Sequence, residues 1–406
     1  MKSLLNKSLF ACLIMAATFS FTSCKDDKND LWTGDDDNAD RNYIESPYAL
    51  NSVKDFADNI RSIENVYTGK GLDGTVNASI SDYIKAYNPS LDQQVRAAIA
   101  NSIAKIEAIK EPFYSTARGG DTQTAIDAVN VLEGLLSGEV HESLTSGNVA
   151  NKDALLEAAM EPYVNKVVIP TYKGMAEEAY KLSELCTAIL EKYDAKTLSE
   201  SDIKAACDVW LASREYWEKS EAFLFGPAAE HNIDPHIDSW PLAKTKLEIM
   251  LANADQMAVI EAQGGEYVGS FLGYGLLGYH AVEYMIFQLS ADGKTSLTHS
   301  TEYKSRAELV YLAAVAEDLR NQAIYLYACW VGQDNIPSEW AAILEDAELG
   351  SADMTRGYAY NFVNAGKAGS IFVNAQQAAE EIINGCADIA DEVANTKMGT
   401  PHGAKD

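Results

Sequence analysis

"LVYLAAVAEDLRNQAIYLYACW", Leu309 to Trp330, decides the fold class. Leu309, Leu312, Ala316, Leu319, Ala323, Leu326 and Trp330 recur at steps of three and four. That period gathers side chains on one face of a helix. Val95, Ile99, Ile103 and Ile106 repeat it, as do Ala375, Ala379, Ile382, Cys386, Ile389 and Val393. The chain shows no sustained two-residue alternation of the kind a strand requires. In "YDAKTLSESDIKAACDVW", Ser199 or Ser201 can cap a helix with acids in its first turn. The breakers "GKGLDG", "ARGGD", "LSGEV" and "ADGKTS" separate the segments. The pattern predicts an all-α protein built of bundles.

The 406 residues suit two or three domains or one large helical body. Lys2 and Lys7 precede the short apolar run "LFACLIMAATFSF", and "FTSC" ends at Cys24. A basic start, an apolar core too short to span a membrane and small residues before Cys predict a lipoprotein signal over 1–23. Cys24 is then the lipidated residue that ties the chain to a membrane. "KDDKND" follows and has two readings, a solvated linker or an export signal of surface-displayed lipoproteins. Residues 24–42 form an acidic linker, in which "DDDNAD" reads as tether rather than cation site.

The formal charge is −28, and −30 without Lys2 and Lys7. Such a chain repels nucleic acid, which is excluded as a partner. Cys186, Cys207, Cys329 and Cys386 lie in helical patterns without CxxC spacing. Disulfides and buried thiols both remain open.

Chemistry-bearing residues are sparse. His280 is the one histidine inside an apolar helical run, "GLLGYHAVEYMIF", where Glu283 shares its face. His141 follows a helix end, His231 and His236 flank a connecting segment, and His299 and His402 lie in loops. A buried glutamate is costly unless paired or metal-bound. The pair is either a structural tie or half of a coordination site. Gly275 and Gly278 admit the close approach of another backbone. In "SREYWEKSEAFLFGPAAEHNIDPHIDSWPL", Arg214 can pair with Glu218 at four residues, and Glu221 sits among aromatics before Gly226-Pro227 ends the helix.

"REYWEKSEAFLFG", "IDSWPL" and "GYHAVEYMIF" occur in that order over about 75 residues. Together they resemble the imelysin-like family. Its GxHxxE marker matches Gly278, His280 and Glu283, and its other motifs match Arg214, Glu221, Phe225, Gly226, Asp238, Trp240 and Pro241. The order of the segments differs from the family's. "GCADIADEVANTKMGTP" closes the chain, whereas "YIESPYALNSVKDFADNIRSIENVYTG" and "SISDYIKAYNPSLDQQVRAAI", which resemble the family's closing part, lie near its start. We read this as a circular permutation that joins the usual ends near residues 140–160. It predicts that residues 45 and 398 are neighbours. Glu45 and Asn51 match the family's acidic turn, while Leu50 stands where Asp is usual.

The resemblance implies two helical-bundle lobes with a site at their seam. The expected division is 43–145 and 266–406 packing together, and 155–265 carrying the Arg/Glu/Trp-Pro motifs. It also implies iron uptake across a bacterial envelope, with the protein lipid-anchored in the outer membrane or displayed at the cell surface, and an iron or metal-chelate transporter as partner. The site is expected to bind a metal ion or metal complex, iron first, with copper or zinc as alternatives. His280 and Glu283 are the expected ligands, with Glu221 third and Glu45 an alternative. Arg214 would hold a carboxylate or an anionic chelator, Trp240 and Tyr279 would wall the cleft, and Gly278 and Asn51 would support it. Some relatives carry a metallopeptidase label, so a peptidase and a non-catalytic surface scaffold or receptor are the alternatives. A zinc peptidase needs three ligands and a base, and HxxE supplies two groups.

Overall fold

In the computed structural model, which describes residues 39 and 41–403, helices carry almost all of the regular structure. The principal ones are α1 (Ser52–Thr68), α2 (Pro89–Glu107), α3 (Gly120–Leu135), α4 (Ile169–Asp194), α5 (Glu200–Glu218), α6 (Ala254–Phe271), α7 (Gly278–Ile286), α8 (Arg306–Val331) and α9 (Ala375–Asp391). Two short strands, β1 (Phe287–Leu289) and β2 (Ser296–Thr298), pair antiparallel with Gln288 opposite Leu297. No described helix is long and apolar enough to cross a membrane.

Local chemistry sets the helix starts. Ser199 and Asp202 form a reciprocal cap on α5, and Ser305 and Glu308 do so on α8. Asn88 accepts from two backbone N–H groups at the start of α2, where Pro89 occupies the first turn. The α1 helix stops at Gly69, which takes φ +66°.

The expected "LSGEV" break does not occur. Residues Leu136–Val140 form a π-helical turn that carries α3 straight into His141–Ser146. A single glycine costs a helix only about 1 kcal/mol, and buried Leu136 and Val140 hold the segment against the core. His141 therefore continues a helix instead of following one.

The helices pack in two groups. In one, α1, α2, α3 and α9 share a core; in the other, α8 packs against α4, α6 and α7, and α4 against α5. The α1 and α5 helices touch and join the groups. The stripe from Leu309 to Trp330 is buried as the spacing predicts, and so are Tyr311, Val315, Ile324 and Tyr327 on other faces of α8. A helix surrounded by neighbours hides more than one face. Cys186, Cys207, Cys329 and Cys386 are buried free thiols.

Candidate metal centre

Arg214 on α5 is the hub of a polar cluster where the two groups meet. Its side chain is fully buried and pairs with Glu45, Asp238 and, at 2.5 Å, Glu218; Asp55 lies 3.7 Å from Nε. The predicted Arg214–Glu218 pair is present, but three further acids share the guanidinium. A second buried cation, Lys397, has Nζ 3.4 Å from Glu45 and Glu221 and 3.8 Å from Glu218. The contact between Glu45 and Lys397 brings together the two ends of the described chain, as the sequence predicts for residues 45 and 398.

His280 stands on α7, in the first turn after Gly278. Gly278 adopts φ +73°, and a Cβ there would collide with the carbonyl of Ile237. Only glycine lets α7 start against the segment that carries Asp238. His280 is 4% exposed. Its Nδ1 lies 3.3 Å from Glu283 Oε2, and its Nε2 pairs with Asp238 Oδ1 at 3.2 Å. Glu283 Oε1 accepts the backbone N–H groups of Tyr48 and Ala49 at 2.8 Å each. Glu283 thus holds the imidazole from behind, a common arrangement for a ligating histidine.

Six buried carboxylates gather here: Glu45, Asp55, Glu218, Glu221, Asp238 and Glu283. They face three buried cationic groups, Arg214, Lys397 and His280. Burial lifts the Asp55 carboxyl to about 7 against the pull of Arg214. Burial also raises Glu218 and Glu221 well above the usual range, although Arg214 and Lys397 favour ionisation of the first and Lys397 that of the second. Asp238 is the exception: burial opposes its charge, but Arg214 and His280 hold it well below the ordinary value. Burial disfavours the imidazolium of His280, yet Asp238 and Glu283 outweigh it and lift the ring to about 9. Excess buried negative charge is relieved by protons or by a further cation.

Ligand atoms of Glu45, Asp238 and His280 all lie within 4.8 Å of one another, as do those of Glu218, Glu221 and Asp238. Nitrogen and oxygen donors of this kind suit iron, copper or zinc. Asp238 and Glu45 are therefore gathered with His280 as a candidate ligand set, while Glu283 meets the ring at Nδ1. Glu221 belongs to the neighbouring set around Lys397. Tyr279 does not wall the cleft: it is fully buried, its hydroxyl lies 2.8 Å from that of Ser213, and its ring lies 5.2 Å from the Arg214 guanidinium. Trp240 does line a cleft, together with His280 and Glu283. Asn51 donates to Asp55 and acts one contact away from Arg214. Leu50 takes φ +51°, a region that Asp tolerates more readily.

The sequence reading missed Lys397, Asp55 and the ligand position of Asp238. Lys397 lies in "GCADIADEVANTKMGTP", a stretch quoted above without the lysine being singled out. Asp55 had no signal, because an acid in the first turn of a helix is ordinary.

The fold and this centre define an all-helical protein whose two helix groups meet at a buried carboxylate–imidazole cluster. The chain belongs to the imelysin family, whose model matches residues 21–137 and 168–406. It is 26% identical over 242 residues to iron-regulated protein A of Synechococcus elongatus, covering 60% of this chain and 54% of that relative. The matched region thus spans about half the length of that protein. A crystal structure of an imelysin peptidase from Bacteroides ovatus matches with 32% identity and a TM-score of 0.54, over 64% of this chain and 72% of that one.

Proposed function

We propose that this chain is an envelope lipoprotein that binds a metal ion or metal complex at His280, Asp238 and Glu45 and serves iron uptake. One observation carries the proposal: ligand atoms of His280, Asp238 and Glu45 lie within 4.8 Å of one another in a buried cluster where six carboxylates gather. The name of the Synechococcus relative, iron-regulated protein A, supports an iron-related role. Iron accepts the mixed nitrogen and oxygen set.

Anaerobic calorimetric titration with ferrous ion tests it. Wild type binds in the micromolar range, about −8 kcal/mol. His280→Ala loses at least about 100-fold, the scale of a lost ligand or its support. Equal affinity in both proteins defeats the assignment, and no binding to either favours the scaffold alternative. The peptidase alternative needs a general base, and the oxygens of Glu283 already serve two backbone amides and His280.

The lipid anchor falls on Cys24, outside the described residues. Radiolabelled palmitate incorporation that Cys24→Ala abolishes is the expected outcome, and the partner on this reading is a metal-chelate transporter. The permuted segment order is supported by the Glu45–Lys397 contact and by the family match, which omits residues 138–167.

A further inference from the structure

Two sets of donor atoms adjoin at the centre and share Asp238: His280 and Glu45 complete one, Glu218 and Glu221 the other. The second set already holds a cation. Lys397 Nζ lies 3.4 Å from Glu45 and Glu221 and 3.8 Å from Glu218. The Trp240 ring, with its centre 6.0 Å from Nζ, closes a further side. Lys397 is 2% exposed, so these protein groups, not bulk solvent, balance its charge. The sequence directs it there. Ile389, Val393 and Lys397 recur at steps of four along α9 and the π-helical turn Glu392–Lys397 that continues it, and all three are buried.

The two long cationic side chains of the centre are held differently. Arg214 is clamped through its planar fork, with Glu218 at 2.5 Å. Each carboxylate contact of Lys397 is longer than the about 2.7–2.9 Å of a tight charge-assisted bond. Its ammonium is a compact point charge among three carboxylates, which is also how carboxylates surround a divalent ion. Building on the metal-binding reading, we propose that Lys397 is the tethered cation of the second donor set and limits the centre to one metal ion, held by His280, Asp238 and Glu45. With the ammonium in place, a second divalent ion would lie directly against a positive charge in a site shielded from water, and repulsion excludes it. Without the ammonium, Glu218, Glu221 and Asp238 lose their resident cation, and a metal ion can replace it. Paired ions lie about 3.5–4 Å apart in two-metal sites, a spacing that two donor sets with one residue in common can supply.

Ferrous ion is the probe, and the ions bound per chain are counted by anaerobic equilibrium dialysis of the full-length protein. Wild type takes one ion and Lys397→Met takes two. A purely structural lysine would change stability and leave that count alone. Because Lys397→Met leaves three buried acids without their cation, thermal unfolding is followed over a ferrous ion series. An ion that fills the emptied position stabilises the folded state, so the Tm of Lys397→Met rises more steeply with ferrous ion than that of wild type, and a variant unfolded without the ion folds in its presence. Two ions in wild type, a single ion in Lys397→Met, or a Lys397→Met chain that stays unfolded in millimolar ferrous ion overturns this proposal while ion binding at His280 stands. If wild type takes no ion, or His280→Ala binds as wild type does, the metal reading falls and this proposal falls with it.

Discussion

The backbone N–H of Tyr48 donates to Glu283 Oε1 at 2.8 Å across 235 residues of sequence. The N-terminal arm thereby docks on the carboxylate that steadies His280, and Ala49 adds a second bond of equal length. Glu283→Ala loses two bonds to a charged acceptor, so unfolding free energy drops by about 3 kcal/mol. Glu283→Gln keeps an oxygen for the two amides but can present an NH₂ to His280 Nδ1. Its stability falls by about 1 kcal/mol, while metal affinity falls about 10–100-fold. Urea denaturation and metal titration on both variants check this split. Equal losses in the two measurements would falsify the positioning role.

Arg214 neutralises acids that have no access to water. Arg214→Met leaves them buried and unpaired, which costs about 3–5 kcal/mol. Arg214→Lys restores a point charge without the fork that reaches Glu45 and Asp238 together, and recovers only part of the loss. Chemical denaturation of the two variants gives the order. A methionine variant as stable as wild type removes the hub from the account.

Gly278→Ala meets both a positive φ and the Ile237 carbonyl. The expected loss is about 2–4 kcal/mol, seen as a lower Tm. Gly273→Ala is the control, because its backbone is extended at φ −77° and nothing lies where its Cβ would go. It leaves Tm unchanged or raises it slightly.

Glu215 bridges Lys54 and Lys219 on the surface of α5. Burial opposes its charge, but hydrogen bonds from Lys219 and Lys54 win and lower its pKa from 4.5 to about 2. A depressed carboxylate stabilises the fold fully above its unfolded value and loses that contribution as pH falls through its folded value. The stability gap between wild type and Glu215→Gln is therefore present at pH 6 and closes between pH 4.5 and about 2. Solvent screening keeps it within about 1 kcal/mol. A gap that widens on acidification sinks the assignment.

Periodicity and punctuation determined the helices. The stripe from Leu309 to Trp330, the cap at Ser199 and the glycine at 278 act over a few residues, and their chemistry is visible in a local window. The motifs also carried His280, Glu283, Arg214 and Trp240 into one region, because matched segments travel together. Which acid faces which cation was decided elsewhere. Asp238 displaced Glu221 beside His280 because Gly278 lets α7 press against the Ile237 backbone. Lys397 entered the cluster because the two ends of the described chain meet. Tyr279 turned inward because its hydroxyl finds Ser213 one helix away. A helical pattern specifies the face a residue occupies, since 3.6 residues make a turn. The partner across that face comes from packing between segments dozens to hundreds of residues apart in the chain, and only the assembled core brings those groups within bonding distance.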